Sequence, residues 1–199
     1  MPFSLCFALL KQYQGKCEGI LFIDVKRASS HRSFKQQAKW GKTTVGWFFG
    51  FTLHLIINHQ AEIVAFRLTT GNVDDRKPIP EMVKGVKGKA FADRGYISEK
   101  LTNTWMEKGI HLFTKGKKNM KNKWITRVDQ LLLRKRAIIE SVNHLLKNSC
   151  QIEHHRHRSR WNFLSNLMAG IATYCLNPCK PRLFFSNTEI ENTLLLEYS

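Results

Sequence analysis

GILFIDV, residues 19–25, is a short apolar run with an acid inside it. Its length and its β-branched and aromatic content read as a buried strand. A buried carboxylate needs hydrogen bonds, a cation or a metal, so Asp24 stands out at once. Outward from this strand, VGWFFGFTLHLIINH (45–59) and AEIVAFRLTTG (61–71) read as two more strands, with Asn58, His59 and Gln60 making the turn of a hairpin. GNVDDRKP breaks the pattern, and 78–86 reads as a short helix. Asp74 and Asp75 are expected to shape the turn and cap that helix. KAFADRGY (89–96) is a fourth strand that turns polar at Asp93. ISEKLTNTWMEKG (97–109) reads as a helix with Ser98 at its N-cap and Gly109 at its end. IHLFTKG (110–116) is a fifth strand. LLLRKRAIIESVNHLLKN (131–148) reads as one amphipathic helix, and a further apolar helix spans about 162–176 before Pro178 and Pro181. A three-strand meander followed by alternating strands and helices predicts an α/β fold, a mixed five-stranded sheet flanked by helices.

The chain has 199 residues and is 43% apolar, enough for one domain with a real core. Its net charge of +17 predicts a polyanionic partner, because basic side chains release counterions from a phosphate backbone. Two segments carry the excess. Residues 111–160 hold 13 Lys and Arg against 3 acids, and residues 26–42 hold six cations and no acid. No apolar run approaches the ~20 residues of a spanning helix, so no membrane partner is expected. MPFSLCFALLKQYQGK lacks a basic leader and a small-residue cleavage site, so it does not read as a signal peptide. The five cysteines are odd in number and without repeated spacing, which predicts reduced thiols in a cytoplasmic protein.

Asp93 stands where its strand stops being apolar, a place where open sheets gather ligands and where turn and cap residues are also common. Glu140 lies on a polar helix stripe with Arg136, Asn143 and Lys147. An Arg136–Glu140 pair at i,i+4 would be worth only ~0.3–0.5 kcal/mol, which suffices for Glu140 alone but leaves Asp24 and Asp93 unexplained. Three carboxylates on two strands and a helix would suit Mg²⁺ or Mn²⁺, and a pair of such ions serves phosphodiester chemistry.

FIDV, GWFFGFTLHLIIN…EIVAFRLTTGNVDDR, FADRGYIS and LLLRKRAIIESVNHLLKNSCQIEHHRHRS together resemble DDE transposases of bacterial insertion sequences, most closely the nine-eighty-two subfamily. The resemblance runs from about Gln12 to Leu176. It implies an RNase H-like fold and metal-dependent DNA strand cleavage and strand transfer during transposition. Asp24, Asp93 and Glu140 match the catalytic, metal-holding triad, with two Mg²⁺ or Mn²⁺ ions expected. The partners implied are element-end and target DNA, with a homodimer in the synaptic complex and a nucleoid-associated, cytoplasmic location. Arg136, Glu140 and Lys147 match a Tyr–Arg–Glu–Lys signature in which Leu133 takes the place of Tyr. Arg136, Lys147, Lys115, Lys117, Lys118, Arg156 and Arg158 are the expected DNA contacts.

The chain starts almost at the core, and the segment from FIDV to HRSFK is shorter than in relatives. These departures imply a truncated copy, and the alternative function is an inactive remnant that keeps DNA binding. Residues 1–18 then form a lead-in, 19–176 the catalytic domain, and 177–199 a tail of uncertain structure. Between Asp93 and Glu140 there is no room for an all-β insertion domain. His154, His155 and His157 with Cys150 are zinc-type ligands, but the compact, Arg-rich run EHHRHRSR fits phosphate contact better. Cys175 and Cys179 are expected as packed thiols at a helix end. The five tryptophans are assigned to the core by default, and Trp40 or Trp124, each among bases, is the alternative platform for an unpaired base.

Overall fold

The computed structural model describes residues 18–29, 34, 36–43, 46–96, 98–114, 125–153 and 159–189. Strand β1 (Glu18–Ser29) lies inside a curled, mixed sheet of six strands, not five. The others are β2 (Lys39–Lys42), β3 (Trp47–Asn58), β4 (Ile63–Thr70), β5 (Lys87–Ala92) and β6 (Ile110–Thr114). The order is β2-β3-β1-β5-β6, with β4 also paired to β3. The unexpected strand, KWGK, is too short to show a hydrophobic period, and only its glycine is buried. It forms because β3 continues past its pairing with β1 and takes β2 as an antiparallel neighbour.

β1 runs antiparallel to β3 and parallel to β5, so both its edges are paired; both its faces are covered by core, and its side chains sort between them by alternation. Phe22 joins a core with Leu132, Ile139, Leu146 and Ile171. These come from helices α3 (Arg127–Lys135), α4 (Ile138–Asn148) and α5 (Arg160–Leu176). Leu21 and Ile23 face the other way, onto Val83, Tyr96 and Trp105. That second layer holds α1 (Ile79–Met82), a 3₁₀ turn (Arg94–Tyr96) and α2 (Glu99–Met106). Ser98 is the N-cap of α2, as expected, but makes no side-chain cap bond.

The stretch 131–148 is two helices rather than one. Thr126 caps α3 by accepting the Asp129 amide proton, so the first helix starts earlier than the hydrophobic stripe does. The break falls at Arg136 and Ala137. There the amides of Ile139 and Glu140 bond back to the carbonyls of Arg136 and Ala137, three residues away. The tightened turn re-aims the chain, and Leu133 is buried beside Leu132 in the same core as Ile138 and Ile139.

The β3–β4 turn is held as the sequence predicts. The Asn58 side-chain oxygen accepts the Gln60 and Glu62 amides at 3.0 Å, and Ala61 adopts a left-handed φ of 59°. The Tyr174 hydroxyl of α5 donates to the Ala61 carbonyl at 2.6 Å, which pins the last helix to this turn. Gly170 allows α5 to approach its own connection: a Cβ there would sit 2.4 Å from Ile152. Residues 177–189, read from sequence as a loose tail, lie against the core through Leu183 and Phe185, and Glu189 pairs with Lys135 at 2.8 Å. Cys175 is buried as expected, whereas Cys179 is exposed, because α5 stops at Leu176. Among the described residues no helix is long and apolar enough to cross a membrane.

The tryptophans depart most from expectation. Trp105 is fully buried, but Trp40, Trp47 and Trp161 are exposed. Each of these three lies beyond the reach of the core, on the β2–β3 ribbon or in the first turn of α5. Trp124 lies outside the described residues.

On the α1 face, Val25, His54 and Arg67 align across β1, β3 and β4. His54 is buried and shares a 2.8 Å hydrogen bond with the Thr69 hydroxyl. Burial, together with Arg27 and Arg67, holds its imidazole down at about 4 against an ordinary 6.5. The folded state therefore keeps His54 neutral while the unfolded chain binds a proton. Stability from this site is full above pH 6.5 and is lost as pH falls towards about 4. In urea melts across this window, His54→Gln should show a shallower fall in unfolding free energy than the parent chain.

Candidate functional site

Ile23 of β1 pairs with Ala92 of β5 in parallel register, so Asp24 and Asp93 are the next residues along two adjacent strands. Neighbouring strands lie about 4.8 Å apart, which brings the two carboxylates to one end of the sheet. Asp93 also serves the turn that follows. Its Oδ1 accepts the Arg94 amide at 2.8 Å, and its carbonyl accepts the Tyr96 amide at 3.1 Å. The turn reading and the ligand reading of this residue therefore coexist.

Glu140 is in the first turn of α4, and Arg136 is at the α3–α4 break. The Arg136 guanidinium lies 3.9 Å from Asp24 and 3.6 Å from Glu140, so it links the strand carboxylate to the helix carboxylate. Burial pushes the Asp24 carboxyl above its usual range. The Val25 amide and Arg136 oppose that shift, while the nearby charges of Glu140 and Asp93 add to it. Asp24 thus feels the charges of the other two acids predicted from sequence. Among the described residues, no group of three or more His, Cys, Asp and Glu is gathered closely enough to hold a metal ion. The donor set is nevertheless chemically right for a hard divalent cation, being all carboxylate. Arg136 is the positive charge that stands among them.

Two strand positions further on, Lys26 shares the face of Asp24 by alternation. Glu153, just past α4, takes Lys26 at 3.5 Å and Lys147 at 3.1 Å. Lys147, expected as a DNA contact, is therefore ion-paired, and Arg136 is turned inward between carboxylates. Lys115, Lys117, Lys118, Arg156 and Arg158, and the histidines weighed for zinc, lie outside the described residues.

The sequence reading missed three positions here. Asp129 is buried, accepts a hydrogen bond from the Thr126 hydroxyl at 2.7 Å and pairs with Lys89 of β5 at 2.7 Å. This pair docks the start of α3 on the strand that leads to Asp93. Its sequence signal was TRVD, a capping pattern just before an apolar run. Asp75 pairs with Arg27 of β1 at 2.5 Å. Asp74 does shape the turn, binding the Arg76 amide and guanidinium, which lowers its carboxyl to about 2. Neither acid caps α1, whose N-cap is Pro78. The third is Tyr96, whose buried hydroxyl has no hydrogen-bond partner among the described residues and which feels the charges of Asp75 and Asp24.

A family model described as a transposase DDE domain matches residues 14–160. The chain belongs to the transposase DDE domain family. No curated protein matches it significantly in sequence. The fold is similar to that of a transposase catalytic core. One solved structure with this likeness is the piggyBac transposase synaptic complex with hairpin DNA, at a TM-score of 0.53 and 11% identity. The match covers 78% of this chain and 45% of that one, so this transposase domain spans less than half of the solved chain.

The docking of α3 can be tested directly. Thr126→Ala should lower unfolding free energy by about 1 kcal/mol through loss of the cap. Asp129→Ala should cost more, because it also leaves Lys89 without its partner. Denaturant midpoints at neutral pH give both values.

Proposed function

We propose that this chain is the catalytic domain of an insertion-element transposase that cleaves DNA strands and joins the freed end to target DNA. The observations that support the proposal are the register that sets Asp24 and Asp93 on adjacent strands and the reach of Arg136 to both Asp24 and Glu140, within a transposase DDE domain. The net charge of +17 supports a DNA partner.

On this reading Asp24 and Asp93 hold the cation site from the sheet, and Glu140 completes it from α4. When bound, a pair of Mg²⁺ or Mn²⁺ ions would stabilise the attacking and leaving oxygens of the phosphodiester. Asp24 must be ionised to serve, and Arg136 favours that form. Once the carboxylates are otherwise neutralised, the Arg136 guanidinium is released to bind a DNA phosphate, for which its forked donors are suited. Lys26 of β1 and Lys147 of α4, joined through Glu153, are candidate backbone contacts. Lys115, Lys117, Lys118, Arg156 and Arg158 are further candidate backbone contacts by sequence. The working assembly is a homodimer holding two element ends in the cytoplasm, with residues 19–176 as the catalytic unit.

A second reading, DNA binding without cleavage, is favoured by one observation: Arg136 already stands between Asp24 and Glu140. The two separate cleanly. Incubated with element-end DNA and Mg²⁺, the parent chain should nick and join strands. Asp93→Asn should reduce both steps at least about a hundredfold while leaving DNA affinity near that of the parent. Salt-sensitive binding with no nicking by the parent chain would establish the second reading instead.

A further inference from the structure

The β2–β3 ribbon carries an exposed aromatic patch that the carboxylate chemistry does not use. Trp40 is 61% exposed and Trp47 67%. Cross-strand pairing of Trp40 with Phe49, and of Lys42 with Trp47, puts Trp40, Lys42 and Trp47 on one face of the ribbon. Trp40 leans on the Phe49 ring at 5.4 Å, and the Lys42 ammonium lies 5.7 Å over Trp47. Both indoles are braced by a neighbour rather than buried. Large exposed aromatics of this kind, set among cations, are what sequence-tolerant binding of unpaired nucleic acid uses.

Beside Trp40 lies a groove of about 460 Å³, walled by Arg27, Lys42, Asp74, Asp75 and Arg76 and reaching Gly95. Its floor is tightly fitted. A Cβ on Gly41 would sit 2.1 Å from the Gly71 carbonyl, and one on Gly71 would sit 2.7 Å from the Lys39 carbonyl. The volume falls within the range of pockets that hold small organic molecules. Both carboxylates within it are paired, Asp75 with Arg27 at 2.5 Å and Asp74 with Arg76 at 2.7 Å, while Lys42 lies over the Trp47 ring. A phosphate entering there would meet two carboxylates. A nucleobase would meet an aromatic wall together with donors and acceptors for its edge, including a carboxylate able to accept from an exocyclic amine. Gly95, at one end of the groove, is two residues beyond Asp93 in the chain.

We propose that this groove holds a base of an unpaired DNA strand, stacked on Trp40 with its edge towards the Asp74–Arg76 pair. Trp47 and Lys42 take the next base and its phosphate. The strand's path past Asp93 rests on the transposase reading above; the base-binding groove does not.

The test measures binding of labelled oligothymidylate and oligocytidylate, and of a duplex of equal length, by fluorescence anisotropy without divalent metal. All variants are made in an Asp93→Asn background, so loss of cleavage cannot affect the result. Trp40→Ala should weaken single-strand binding about tenfold or more, change duplex binding less than about twofold, and be largely rescued by Trp40→Phe. Titration with the single strand should quench intrinsic tryptophan fluorescence, and Trp40→Phe should remove part of that quench even if Trp40→Ala fails to fold. Equal loss on single strand and duplex would overturn the proposal. So would an unchanged single-strand affinity, or a quench that Trp40→Phe leaves intact; either would leave the patch as a surface for a protein partner.

Discussion

Asp24 puts a carboxylate on a central strand of the sheet, and the surrounding structure is arranged around that charge. Its burial disfavours the ionised form, and two more acids are brought near it. A hydrophobic residue at this position would pack into the same strand at less cost. Arg136 partly compensates the charge from the helix break itself, reaching both Asp24 and Glu140. The tightened turn at Arg136 and Ala137 sets that guanidinium between the two carboxylates while Leu133 lies in the core. Fold and site thus share one local event.

The positions of the other acids follow from the sheet. Parallel pairing of β1 with β5 fixes Asp93 beside Asp24 without any direct bond between them. The Lys89–Asp129 pair then ties β5 to α3, and α3 leads into the break and on to Glu140. The three acids are far apart in the chain, yet each is only one or two structural links from the next. Such a site is preorganised by register and helix docking, and this is why a capping pair remote from the carboxylates bears on their geometry.

Much of this was legible in the sequence, for identifiable reasons. The long apolar runs of β1, β3 and β4 announced themselves by length, and the Asn58 turn by its residue type. Asp24 stood out because it interrupts a core strand and Asp93 because it ends one, whereas Glu140 had only its polar helix stripe to mark it. What escaped depended on tertiary pairing. KWGK has no period of its own and becomes a strand only because β3 offers it an edge. The break after Lys135 could not be read from hydrophobic spacing, since apolar residues continue through it on both sides. The exposed tryptophans were misplaced because residue type alone sends an indole to the core; the twelve-residue length of β3 carries Trp47 beyond what the helices cover.

The turn at Asp93–Tyr96 is where the two faces of the sheet come together. On one side, Asp93 points the backbone away from β5 beside Asp24, Arg136 and the helices. On the other, Tyr96 is buried among Ile23, Val83 and Trp105, and its hydroxyl senses both Asp75 and Asp24. Gly95, between them, opens onto the groove beside Trp40. Arg27 and Asp75 complete the connection: they brace the groove wall directly against β1, three residues from Asp24. The turn thus joins the carboxylate end of β5 to the groove wall, and it does so through short, local hydrogen bonds rather than through any large interface.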